Sequence, residues 1–205
     1  KLKKTTLAGR VIAGLASVFS KSDQFTDPQL QFLNGTLPIS ERFFAGGSTT
    51  LRGFDFDGAG PRAVIVPQGI FRDRNGKIIN LTPFTVPFGG NALFITNLEA
   101  RVPLTDSIQA VPFYDGGNVF LRVGDIFKKN STIQSGTPFQ QNLQARWTNT
   151  VGLGLRIKTP VGGSFAIDYG YLLNPPRFLI PQPGGDNAIY RLKQGQLHFR
   201  FAQIF

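Results

Sequence analysis

The 205-residue chain contains no cysteine. That excludes a disulfide framework and any thiolate metal site, and it fits a compartment where thiols would oxidise. Histidine is nearly absent as well. His198 stands alone, and without a second histidine it does not make a zinc site; on the polar face of its strand it reads as a hydrogen-bonding group inside the fold. No run of about 18 apolar residues occurs, so no helical membrane span is encoded. Serine, histidine and aspartate all occur, but no Gly-x-Ser-x-Gly elbow supports hydrolase chemistry. Gly152-Leu153-Gly154 lacks the third glycine and following helix of a dinucleotide site. Asp55-Phe56-Asp57-Gly58 lacks the twelve-residue ligand pattern of a calcium loop. The sequence thus assigns no catalytic residue, metal or cofactor.

What is present points elsewhere. Phenylalanine is abundant (20), and Gly 24 with Pro 14 implies many turns. Mean hydropathy is −0.05 with 41% hydrophobic residues. That average suits a soluble protein, but it also suits transmembrane strands, where half the residues face water. The net charge of +10 is spread along the chain rather than gathered in a block, which favours anionic lipid headgroups over nucleic acid as partner. A simpler reading of the charge is that an acidic part of the protein lies outside this chain.

Periodicity of two dominates, and helical periodicity is scarce. Six alternating runs appear, at about 5–19, 91–104, 108–120, 148–158, 164–173 and 195–205. The basic start, Lys1 to Lys4, makes a poor signal peptide because Arg10 interrupts the would-be apolar core; it reads as the approach to a strand. Each run can cross a bilayer as a tilted strand. Strands two to three and four to five are joined by tight turns. Long joins follow strands one, three and five, at roughly 20–90, 121–147 and 174–194. Short turns on one side and long loops on the other suit an outer-membrane barrel. Phe19, Phe120, Trp147, Phe165 and Phe205 fall near strand ends, where interfacial aromatic girdles lie. Six strands are too few for a single-chain barrel, and open edges cannot sit in lipid. The chain is therefore the C-terminal part of a larger barrel, or it is completed by another chain, or further strands lie within 25–90, for example Pro28–Leu33 and Gly76–Val86.

Three segments carry charges suited to meet. Arg52 lies in a glycine-rich loop, Leu51-Arg52-Gly53-Phe54, behind Gly46-Gly47. Glu99 and Asp115 lie in neighbouring strands, on the faces opposite the apolar rows. A guanidinium offers a planar fork that can serve two carboxylates at once. The double glycine permits a reversal with positive φ, and Gly53 permits close backbone approach. Arg52 would then latch the loop inside a water-filled barrel. The alternatives are that Arg52 is an ordinary surface-loop arginine, and that Glu99 pairs instead with Arg101 or Arg156.

The residues from Ser40 through Gly46, Gly47, Leu51, Arg52, Gly53 and Phe54 to Gly60-Pro61 resemble the lid-loop motif of the BamA/TamA superfamily of outer-membrane assembly factors, which also includes two-partner-secretion transporters. Phe113, Asp115, Gly116 and Gly117 resemble its strand motif. Gly152 to Gly162 and Asp168-Tyr169-Gly170 look like its penultimate hairpin. The resemblance runs in order from about residue 4 to 205. It implies an all-β, antiparallel transmembrane barrel of which this chain is the C-terminal portion, residues 1–205, about six of sixteen strands. A lid loop (about 20–90) would fold inward, and the terminal strand (about 195–205) would carry Phe199, Phe201 and Phe205 in the manner of the signal that assembly factors read on their clients. It further implies a non-enzymatic insertase or translocase in the outer membrane of a Gram-negative-type bacterium. Its partners would be lipid, client outer-membrane or secreted polypeptides, and the missing N-terminal strands and periplasmic domains or another chain supplying them. In such proteins the seam between first and last strands opens to template clients. Ala202 stands where BamA-type members have a strand-kinking glycine, which leaves TamA-like and secretion-type membership open. Two further functions fit the same strands: a passive porin-like barrel, and a membrane anchor for a separate hydrolase domain.

Overall fold

A computed structural model describes residues 4–19, 26–27, 30–65, 67, 71–79, 83–127, 141–159, 162–181 and 186–202. Among these residues the strands run in order as β1 (Thr6–Leu15), β2 (Arg62–Ile65), β3 (Phe71–Arg72), β4 (Ile78–Ile79), β5 (Phe84–Pro87), β6 (Ala92–Pro103), β7 (Ile108–Phe120), β8 (Thr148–Thr159), β9 (Gly163–Leu172), β10 (Arg177–Pro181), β11 (Asn187–Arg191) and β12 (Gly195–Ala202). Six of them form one antiparallel sheet in the order β1-β6-β7-β8-β9-β12. Their bounds follow the six alternating runs of the sequence, and the tight joins β6–β7 and β8–β9 fall where the sequence turns.

The other strands pair as ribbons, β2 with β5, β3 with β4 and β10 with β11. They stand outside the wall. Of the three alternatives the sequence left open, further wall strands within 25–90 are therefore not found among the described residues. Gln31–Leu33 forms a single 3-10 turn in place of a strand at Pro28–Leu33. In the Gly76–Val86 stretch, the strand-forming residues pair within the loop instead of joining the sheet. The aromatic and β-branched residues Phe84, Thr85 and Val86 suit a pleated pairing, and the two-stranded ribbon with β2 satisfies it.

The two faces of the wall differ sharply. One is bare and apolar: Leu7, Val11, Leu98, Leu153, Tyr169, Phe199 and Phe201 all stand exposed on it. The other is covered by the 30–65 segment. Register aligns its residues into rungs. Arg10 pairs with Asn97, Asn97 with Asp115, and Asp115 with Thr150. On the next rung Glu99 meets Phe113, Phe113 meets Gly152, and Gly152 meets Gly170.

The main apolar core lies between the covering loop and this face. Leu51, Phe54, Ala45 and Ala59 of the loop pack with Leu93, Ile95, Val119 and Leu172 of the wall. Leu51 and Phe54 are withdrawn from solvent, so the tip is anchored by burial as well as by charge. Full burial of side chains of this size contributes about 1.5–3 kcal/mol each. A smaller cluster corrects one expectation. Phe120 is not a girdle residue: it is buried with Ala92 and Ala145, with Phe94 and Trp147 packed alongside, because the chain just before β8 folds over that end of the wall. Phe205 lies outside the described residues.

Candidate functional site

The covering loop delivers Arg52 through a glycine-controlled reversal. Gly46 and Gly47 have φ of 127° and 91°, a region costly to residues with a Cβ. Thr50 Oγ1 then accepts a hydrogen bond from the Gly46 backbone N–H at 2.8 Å. The tip lies directly on the wall. A Cβ on Gly53 would come within 2.4 Å of Thr150 Oγ1 and 2.7 Å of Leu172 Cγ.

Arg52 is 4% exposed and Asp115 0%. The Arg52 backbone N–H donates to Asp115 Oδ2 at 3.1 Å, its Nε to the same oxygen at 2.8 Å, and its Nη2 to Oδ1 at 2.7 Å. Nη1 donates to Glu99 Oε1 at 2.7 Å. The guanidinium carbon stands 3.5 Å from the centre of the Phe113 ring, a cation–π geometry. Burial by itself lowers the Arg52 pKa. The hydrogen bond and charge of Asp115, aided by Glu99 and Asp168, outweigh it and raise the pKa above the ordinary arginine value.

The sequence posed Arg52, Arg101 and Arg156 as competing partners for Glu99; all three surround it. Arg101 Nη2 is 3.0 Å from Glu99 Oε2, and Arg156 Nη2 is 3.7 Å from Oε1. Arg156 also pairs with Asp168 at 2.6 Å. Three arginines thus face three carboxylates, Glu99, Asp115 and Asp168. Mutual neutralisation of this kind lets like charges share a site that would otherwise force one of them to neutralise.

The residues around the network fix its position. Asn97 Nδ2 donates to Asp115 Oδ1 and to the Thr50 carbonyl, both at 2.7 Å. Arg10 on β1 donates to Asn97 Oδ1 and to the Thr49 carbonyl. His198 Nε2 is 2.8 Å from the Arg52 carbonyl oxygen. Because a carbonyl can only accept, the proton sits on Nε2.

Arg52 therefore touches β6 through Glu99 and β12 through His198. On a flat sheet those strands lie about 19 Å apart, at about 4.8 Å per strand. Side chains stand nearly perpendicular to a sheet, so the wall curls around the arginine.

Three glycines make room for this seat. A Cβ on Gly170 would lie 2.3 Å from the Arg52 carbonyl oxygen, and one on Gly152 would lie 2.2 Å from Phe113 Cζ. A Cβ on Gly154 would fall 2.0 Å from Asp168 Oδ1. In the sequence, Gly152, Gly154 and Gly170 stood out only as part of the hairpin resemblance, without a task of their own. Glycine in a strand interior marks close approach, and that was the signal available.

The other motif residues are distributed as follows. Gly116 and Gly117 lie in β7 beyond Asp115, and Gly117 has φ 133°. Phe113 forms the platform beneath the guanidinium. Phe199 and Phe201 point away from the site, on the bare face, 62% and 60% exposed. No group of three or more metal-ligating side chains occurs among the described residues.

A curled antiparallel wall, apolar outside and polar beneath an inward loop, is the wall of a transmembrane β-barrel. A match to the Omp85 superfamily domain spans residues 1–205, and the chain belongs to that superfamily, whose members are outer-membrane barrels that assemble or transport proteins. Among solved structures it is similar to BamA from Haemophilus ducreyi lacking POTRA domains 1-3, with 20% sequence identity and a TM-score of 0.48 over 82% of this chain and 28% of that one. The chain thus spans well under half the length of that protein.

Proposed function

We propose that this chain is the C-terminal part of an outer-membrane insertase or translocase barrel, with a lid loop latched in the lumen by Arg52 against Asp115 and Glu99. The observation that carries the reading is the burial of the Arg52–Asp115 pair between loop and wall. An ion pair taken this far from water earns little net stability, but it fixes one loop position and punishes loss of either partner. A passive pore needs only a polar lumen; a fixed inward loop suits a barrel whose interior must be held in one state until a polypeptide engages it.

The remaining strands of the barrel, and the periplasmic domains, come from the upstream part of the protein or from another chain. Among the described residues β1 and β12 each pair on one side only, and their free backbone groups would be unsatisfied in hydrocarbon. The bare face meets lipid, and the positive charge favours anionic headgroups. Clients are unfolded outer-membrane or secreted polypeptides, and Phe199, Phe201 and Phe205 belong to the terminal-strand signal. No covalent chemistry and no cofactor are involved.

The test is reconstitution of the full-length protein in vesicles with an unfolded client barrel. Insertion is expected to fall with Arg52→Ala while the protein itself remains folded. Unchanged insertion with an unchanged lid position would overturn the latch.

A further inference from the structure

We infer that His198 is a positioning residue that ties the terminal strand β12 to the seated lid, so that release of the lid and loosening of β12 are energetically coupled. The inference rests on the latch reading and adds a second end to it.

Three observations meet at Arg52. Its side chain and backbone N–H are held by β6 and β7, through Glu99 and Asp115. Its carbonyl oxygen faces the opposite way, across Gly170 of β9, and accepts from His198 Nε2 at 2.8 Å. Among the described residues β12 is bonded along one edge only, to β9, from Gly195 opposite Tyr171 to Ala202 opposite Ser164. The terminal strand is therefore secured by one ladder, plus a side-chain tether running to the lid. Its neighbours on the same face, Gln196 and Arg200, flank His198 but make no hydrogen bond to the lid among those the structure shows.

The geometry is directional. Gly170 has no Cβ, which lets the Arg52 carbonyl descend far enough to meet an imidazole rooted one strand further on. If β12 shifts from β9, His198 withdraws and the carbonyl loses its donor. If the lid lifts, His198 and the neighbouring Asp168–Arg156 pair lose their cover. Coupling of this kind is reciprocal: whatever loosens one end must loosen the other by the same factor. The tether does not depend on the charge state of the ring, because both the neutral tautomer protonated at Nε2 and the imidazolium donate to the carbonyl.

The experiment is hydrogen exchange on the full-length protein in lipid bilayers, following lid segment 46–58 and strand segment 195–202. Four variants are compared with wild type: His198→Leu, His198→Gln, Arg52→Ala, and Arg52→Ala combined with His198→Leu. Loss of one neutral hydrogen bond corresponds to on the order of a fivefold change in an opening equilibrium. His198→Leu is expected to raise exchange in both segments by about that factor, and His198→Gln, which keeps a donor, to restore protection. Arg52→Ala is expected to speed exchange in β12 as well as in the lid, and the double variant to add nothing further in β12. If Arg52→Ala frees the lid but leaves β12 unchanged, the tether is wrong and the latch stands. If Arg52→Ala changes neither segment, the latch itself is wrong. Additive effects in the double variant, or no effect of His198→Leu on β12, also overturn the inference.

Discussion

At the scale of single residues, the site is governed by what happens when one charge is left alone. Asp115 is fully buried and receives hydrogen bonds from the Arg52 side chain and backbone and from Asn97. Asp115→Asn keeps the shape but leaves the buried arginine with Glu99 as its one charged partner, and breaking a buried pair costs roughly 3–5 kcal/mol. Lid seating is expected to weaken by that order, read as faster exchange over residues 46–58. Arg52→Lys is not a rescue, because a point charge cannot span both carboxylates as the fork does. A separate prediction concerns Gly170. Any Cβ there meets the Arg52 carbonyl, so Gly170→Val should unseat the tip with every charge intact, and trypsin should cleave after Arg52 far faster than in wild type. Unaltered protection in that variant would mean that the close approach does not hold the lid. The charges were legible in the sequence, since alternation set Glu99 and Asp115 on the polar faces of their strands. The glycine seat was not, and for His198 only an inward hydrogen bond was legible, not its partner. Both arise only when a loop far upstream is laid across β9 and β12; strand glycines mark a close approach, but the pattern along one strand does not say what approaches.

Among the elements, the wall strands were legible and the loop was less so. A half-buried strand must alternate, and all six wall strands do; a one-residue slip would carry apolar side chains to the polar face. Short apolar stretches inside the loop have no such constraint. Ile39 and the Gln31–Leu33 turn show how a brief apolar run fits several local structures equally well. Arg62 is one example of what organises the loop instead: it donates to the Gly58 carbonyl at 2.7 Å and to Thr85 Oγ1 at 3.0 Å, so half-buried arginine contacts give the lid a scaffold of its own. The alternation also makes a prediction about faces. Leu153 is exposed on the bare face, and a charge placed there should oppose membrane insertion by about 2–4 kcal/mol at midplane depth. Lys158→Ala, on the opposite face of the same strand, should be nearly neutral. Folding efficiency of the full-length variants into vesicles separates the two, and equal effects would refute the assignment of faces.

For the whole molecule, the described strands make a curled wall with two free edges around a seated arginine. Its bare face is suited to lipid and its covered face to a lumen, and the Omp85 match spans the same residues. Proposed as one portion of a larger barrel, the wall supplies the lid, its latch and the terminal strand, while the closing strands come from elsewhere. The most direct test of this scheme is the rate at which full-length protein in vesicles inserts an unfolded client barrel, compared between wild type and Arg52→Ala, with exchange over residues 46–58 followed in the same samples. The expected result is a slower rate together with loss of lid protection in a barrel that is otherwise folded. An unchanged rate with the lid still protected would contradict the latch.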